Sequence, residues 1–177
     1  MKFCIATTDH LESICKITVE AKAQLKAMGV DQWQNGYPSK EIWVEDIKDQ
    51  RAYVAVDSES NDVMGAFTFF TSQDASYDSI DGAWLTGDIH KDGGYASLHR
   101  VCVSNTHKGK GVAGSMFLFA ESLTRNQNIA SIRIDTHPDN KPMLRSLDKA
   151  GFTRCGLIAL VSGVEAGSLR VAFEKIL

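Results

Sequence analysis

The sequence predicts an α/β fold, a mixed sheet flanked by helices in one domain, and three observations carry that expectation. Strand-like apolar runs alternate along the chain with stretches whose apolar residues fall three and four apart. A glycine-rich loop joins one such strand to a helix in the second half. The 177 residues, 44% hydrophobic and 23% charged, suffice for one core that buries roughly 70% of the unfolded surface, and no linker, repeat or low-complexity stretch divides them.

Lys2 to Ala6 reads as the first strand. Asp9-x-x-Glu12 resembles a helix-start signal ahead of Leu11, Ile14, Ile17, Ala21, Leu25 and Met28, one face of a helix that Gly29 ends. A second helix is expected over Lys40 to Asp49, with Trp43, Val44 and Ile47 on its inward face. Arg51 to Val56 and Val63 to Phe70 read as strands, joined as a hairpin by the polar turn Asp57 to Asp62. Residues 71 to 96 form a long polar insertion, a length that in a compact domain points to function or mobility. Further strands are expected at 97 to 103, 131 to 135, 152 to 159 and 168 to 176. Val112, Met116, Phe119 and Leu123 mark one face of a third helix, and a fourth begins near Asn140.

No apolar run approaches the roughly 20 residues of a membrane span, and the start of the chain passes at once from Met1-Lys2-Phe3-Cys4-Ile5-Ala6 into polar residues. The cytoplasm is therefore the expected compartment. A net charge of −3 without a long basic run gives no reason to expect nucleic acid. Cys4, Cys15, Cys102 and Cys155 show no paired metal spacing and read as buried free thiols, while His10, His90 and His107 read as surface residues. No metal site is expected.

Chemistry concentrates in residues 101 to 115. The loop Lys108-Gly109-Lys110-Gly111 leads into Val112-Ala113-Gly114, the first turn of a helix whose leading N–H groups lack intrahelical partners and carry a partial positive charge. Glycines let an anion come close to the main chain, and Lys108 and Lys110 add full charges, so the segment reads as a pyrophosphate cradle. A nucleoside-triphosphate loop is excluded because no lysine stands between Gly114 and Ser115. Gly109-x-Gly111-x-x-Gly114 does satisfy the dinucleotide fingerprint, with Asp135 ending a strand about 20 residues on. Residues 136 to 177, however, hold one helix pattern and two strand patterns, too few for the second half of that fold.

A third pattern, Arg/Gln-x-x-Gly-x-Gly/Ala, matches Lys108-Gly109-Lys110-Gly111-Val112-Ala113 with lysine in the first place. A second segment follows in order, Asp135-Thr136-His137-Pro138-Asp139-Asn140-Lys141-Pro142-Met143 and then Ala150-Gly151-Phe152. On these motifs, across residues 97 to 158, the chain resembles the GNAT superfamily of N-acetyltransferases. The resemblance implies one acetyltransferase domain over residues 1 to 177, with a mostly antiparallel sheet of about six or seven strands and about four helices. It implies acetyl-coenzyme A as cosubstrate and an amine acceptor, small molecule or peptide, with no metal, nucleic acid or membrane partner; assembly as a homodimer stays open. In the family such a loop, here Lys108 to Gly114, binds the pyrophosphate, and the preceding strand, here Val101, Cys102 and Val103, holds the pantetheine arm. Asn140 matches an asparagine that hydrogen-bonds near that arm, and before Lys141-Pro142 it is also a good helix cap.

Acetyl transfer needs a base for the amine, donors for the oxyanion and an exit for the thiolate. His99 is the leading base, because strand alternation puts it on the face of Val101 and Val103. The segment Leu98 to Val103 is also similar to the strand of arylalkylamine acetyltransferases that carries a histidine implicated in proton removal. The alternative is a strand histidine satisfied by a backbone group. His137 is the second candidate, or else a loop histidine that orients its turn. Many family members place a tyrosine acid seven residues after the asparagine, where this chain has Leu147. Trp33 and Tyr37 lie in the region that lines the family's acceptor pocket, and Trp84 in the insertion is expected to cover it. Two further readings stand beside direct transfer: a sensor that binds acyl-coenzyme A without catalysis and, with less support, a dinucleotide-binding oxidoreductase. An acyl-cysteine route through Cys102 has no sequence support.

Overall fold

In the computed structural model, which describes residues 1 to 177, the alternating patterns become four helices and eight strands. In chain order these are β1 (Lys2–Ile5), α1 (Leu11–Ala27), α2 (Lys40–Lys48), β2 (Ala52–Val56), β3 (Val63–Phe70), β4 (Asp81–Gly82), β5 (Ala96–Val103), α3 (Val112–Asn126), β6 (Ser131–Thr136), α4 (Lys141–Lys149), β7 (Thr153–Ala159) and β8 (Leu169–Ile176). The sheet runs β1-β2-β3-β5-β6-β8-β7-β4, with β5 and β6 parallel. The strand count exceeds the expected six or seven because of β4, a two-residue strand inside the insertion that pairs with β7. Only glycine permits that pairing. A Cβ on Gly82 would meet the Cys155 carbonyl, and one on Gly156 the Asp81 carbonyl.

The chain packs as two compact units, residues 1–69 with 99–119 and residues 70–98 with 120–177. In the first, β1, β2 and β3 pair antiparallel, and α1 and α2 cover one face through Ile14, Ile17, Leu25, Trp43, Val54 and Ala66. Trp43 can be buried whole because its indole N–H donates to Thr18 Oγ1 at 3.0 Å, and Thr18 in turn donates to the Ile14 carbonyl at 2.8 Å. The opposite face is aromatic. Tyr53 stacks on Phe67 at 5.5 Å between centroids, and Phe119 of α3 stacks on Phe3 at 4.6 Å.

One inward face differs from expectation. Val44 is 45% exposed, and the buried partners of Trp43 on α2 are Asp46 and the half-buried Ile47. Asp46 turns inward because Arg100 of β5 meets it there, Nη2 lying 2.8 and 3.0 Å from its two carboxylate oxygens.

In the second unit β6 and β8 pair antiparallel, as do β7 and β8. The insertion is not a loose loop. Arg133 of β6 lies between the rings of Trp84 and Tyr95, 4.1 Å from each centroid, and its Nε donates to Glu174 of β8 at 3.1 Å. Its Nη2 donates to Thr86 Oγ1 and to the Gly87 carbonyl. Glu174 also accepts from the Leu85 and Thr86 backbone N–H groups and from the hydroxyls of Thr86 and Ser131. Burial alone would push the Glu174 carboxyl up, but the hydrogen bonds from Thr86 and Ser131 together with the Arg133 charge hold it below the usual range. A fully buried ion pair thus fixes residues 84 to 87 to the strands, with Tyr77, Ile158 and Ala172 completing an apolar cluster.

Candidate active site

β5 pairs with β6 only from Ala96 to Leu98. The pairing with β6 ends at Leu98, while β5 itself runs on to Val103. The change comes at Arg100, which adopts the left-handed conformation, φ 55°. For a side chain with a Cβ this costs on the order of 1–2 kcal/mol, and the side-chain bonds of Arg100 offset it. Its guanidinium holds Asp46, and Nη1 donates to the Tyr37 hydroxyl at 2.6 Å.

The left-handed residue also breaks the period of two, so alternation no longer assigns His99 to the face of Val101 and Val103. His99 is half-buried, its carbonyl accepts from Thr68 Oγ1 at 3.0 Å, and its ring lies near enough to Asp46 to favour that carboxylate. Burial pushes the Asp46 carboxyl up, the Arg100 and Arg51 charges oppose this, and the balance stays above the ordinary value. His99, Arg100, Asp46 and Tyr37 therefore form one polar group beside the interrupted strand.

Cys102 is no nucleophile. Its thiol is buried in the apolar cluster of the first unit, faces the Ala66 carbonyl at 3.7 Å and is pushed by burial up to about 12, which leaves a thiolate fraction on the order of 10⁻⁵ at neutral pH. Only its backbone can serve a ligand.

Beyond β5, Ser104 N–H donates to the Met64 carbonyl, a single helical turn spans Asn105–His107, and Lys108 leads into the glycines. Gly109 and Gly111 are both left-handed, φ 74° and 79°, and a Cβ on either would meet nothing within 4 Å. The backbone alone demands glycine there, and the space over the main chain is open. Gly114, in the first turn of α3, is open in the same way, while Val112 and Met116 are buried and anchor the helix. The Ser115 N–H donates to the Gly111 carbonyl as the helix begins, so the N–H groups ahead of it point toward the loop. Lys110 is exposed. Lys108 instead folds back, Nζ donating to Asn105 Oδ1 at 2.8 Å, and burial draws its pKa down.

His137 and Asn140 belong to the second unit. Asn140 caps α4, Oδ1 accepting from the Met143 N–H at 3.3 Å. His137 Nδ1 accepts the Asp139 N–H at 3.0 Å. A backbone N–H can only donate, so Nδ1 is the acceptor, as suits a histidine that orients its turn. Leu147 is fully buried in α4. Trp33 is 8% exposed within the α1 and α2 cluster, and Trp84 is buried against Arg133 with its N–H on the Tyr77 carbonyl, so both are packing residues in their own units. Tyr37 is bonded through its hydroxyl to Arg100, the neighbour of His99 in the chain. Sequence reasoning missed Asp46 and Arg100; the signals were a lone cation in an apolar strand and an acid three residues after Trp43.

Residues 21–152 match the family model described as the acetyltransferase (GNAT) family. The chain is similar to streptothricin acetyltransferase of Escherichia coli, 39% identical over 62 residues, and the match covers 35% of this chain and 36% of that protein. Among solved structures it is similar to an acetyltransferase of the GNAT family from Streptococcus agalactiae 2603, with a TM-score of 0.84 and 28% identity over 99% of this chain and 95% of that one. In fold alone it is also similar to the NatB acetyltransferase complex, with a TM-score of 0.68 and 12% identity over 100% and 99%.

Proposed function

This chain belongs to the GNAT family of acetyltransferases, and we propose that it moves an acetyl group from acetyl-coenzyme A to a primary amine of a small molecule or peptide by direct attack. The observation that carries the reading is the open, left-handed Gly109 and Gly111 main chain at the start of α3. The pyrophosphate takes the N–H groups of this loop with Lys110, and the pantetheine amides take the backbone of Val101 to Val103. Asn140, which matches the family's asparagine, is the further residue proposed for the coenzyme. The NatB complex, similar in fold, was solved bound to CoA and MES, which supports the choice of cosubstrate.

In the transfer the amine gives up a proton to His99, its nitrogen bonds to the thioester carbon, and the carbon–sulfur bond breaks with the pair leaving on sulfur. Asp46 and Arg100 hold the backbone on which His99 sits. Leu147 supplies no proton, which leaves another tyrosine, a water, or departure of the thiolate as the anion. An imidazole is a suitable base for this step, whereas an acyl-cysteine step has no thiolate to begin it.

The likeness to streptothricin acetyltransferase of Escherichia coli makes streptothricin the first acceptor to assay, followed by amines, amino acids and peptides. Thiol release from acetyl-coenzyme A with at least one of them is the expected result. Tight coenzyme binding without transfer to any acceptor would favour the sensor reading. On an active acceptor, His99→Ala is expected to lower kcat roughly 10²-fold while leaving coenzyme affinity unchanged, with partial recovery at higher pH as the amine deprotonates. Wild-type turnover in that variant would remove His99 from the mechanism.

A further inference from the structure

We infer that Asn105 is a positioning residue for the glycine loop, clasped to α1 by Glu20 and Gln24 and holding the Lys108 ammonium ready beside the cradle. The inference rests on the coenzyme reading of that loop. Asn105 stands in the helical turn between β5 and the glycines and is exposed, yet it makes three bonds. Its N–H donates to Glu20 Oε2 at 2.8 Å, and its Oδ1 accepts from Gln24 Nε2 at 2.7 Å and from Lys108 Nζ at 2.8 Å. Glu20 and Gln24 are four apart on α1 and so share one helical face. Two side chains from the N-terminal helix thus seize one residue of the loop more than eighty positions later.

The chemistry explains why such a clasp serves this loop. A cradle built from main-chain N–H groups binds an anion well only if those groups already point the right way, and glycine is the residue that loses most freedom when fixed. Asn105 anchors the entry to the two left-handed glycines. It also restrains Lys108, whose ammonium burial disfavours and Glu20 favours. The tether is a neutral amide oxygen, so a phosphate carrying full charge can take the ammonium from it.

Glu20 separates this role from simple electrostatics. Its negative charge near the cradle opposes an anionic ligand, so on charge alone any neutral residue at position 20 would tighten binding. The clasp predicts otherwise, because glutamine keeps an oxygen for the Asn105 N–H and alanine does not. The test is calorimetric titration of the full chain with coenzyme A at low ionic strength, with folding checked by thermal melting. Asn105→Ala and Glu20→Ala are expected to bind about tenfold more weakly than the wild type, and Glu20→Gln no more weakly than the wild type. Binding by Glu20→Ala as tight as by Glu20→Gln, or unaltered binding by Asn105→Ala, would overturn the inference. A wild-type protein that does not bind coenzyme A would instead overturn the proposed function on which it rests.

Discussion

Glu174→Ala is expected to cost about 3–5 kcal/mol of unfolding free energy, the loss found when one partner of a buried ion pair is removed, and urea denaturation would measure it. Arg133 would keep its charge at 0% exposure with no counter-ion, and the Ser131 hydroxyl would lose its acceptor in the same buried space. The backbone N–H groups of Leu85 and Thr86 would lose theirs as well, so the insertion should loosen before the sheet does. Glu174→Gln preserves shape and one acceptor oxygen and should cost less. The sign with pH follows from the depressed carboxyl. A group whose folded pKa lies below its unfolded value of about 4.3 contributes stability that is present above that value and lost as pH falls through the folded pKa. The gap between wild type and Glu174→Gln should therefore narrow in acid. A loss below about 1 kcal/mol in Glu174→Ala would mean that the pair is not the clamp described.

The second large effect is on ligand binding. Gly111→Asp is expected to weaken coenzyme A binding by on the order of 10²-fold or more, because it sets a carboxylate against the proposed pyrophosphate position. Two causes are combined in that variant. At φ 79° any side chain is strained, and an aspartate also repels an anion. Gly111→Asn separates them, since asparagine tolerates the left-handed region, fills similar space and carries no charge. Binding by Gly111→Asn should fall far less than by Gly111→Asp. Equal losses would show that backbone geometry, not charge, governs the loop.

These contrasts follow how much of the molecule its sequence discloses. Helix faces and strand runs depend on apolar spacing, so α1, α3 and the strands from β1 to β8 other than β4 are legible to within a residue or two. The turn at Gly109 and Gly111 is legible because glycines at that spacing mark left-handed backbone, which both adopt. What escapes is polar burial. Asp46 and Val44 both fit a helix period beside Trp43, and only the partner Arg100 decides which turns inward. Trp84 reads as a lid residue until Arg133, 49 positions later in the numbering, is seen beneath it. The left-handed Arg100 breaks an alternation that sequence reasoning must assume, and β4 is too short for any periodicity. Lys108 was legible as a charge but not as a charge tethered to Asn105.

The most direct test of the account is the melting temperature of the wild-type chain with acetyl-coenzyme A or NADH at equal concentration. A ligand that binds only the folded state stabilises it by about 2.7 kcal/mol at a hundred times its Kd, so a true cosubstrate produces an upward shift that grows with concentration. Acetyl-coenzyme A should raise the melting temperature and NADH should leave it unchanged. A shift with NADH and none with acetyl-coenzyme A would contradict the account and return Gly109-x-Gly111-x-x-Gly114 to a dinucleotide.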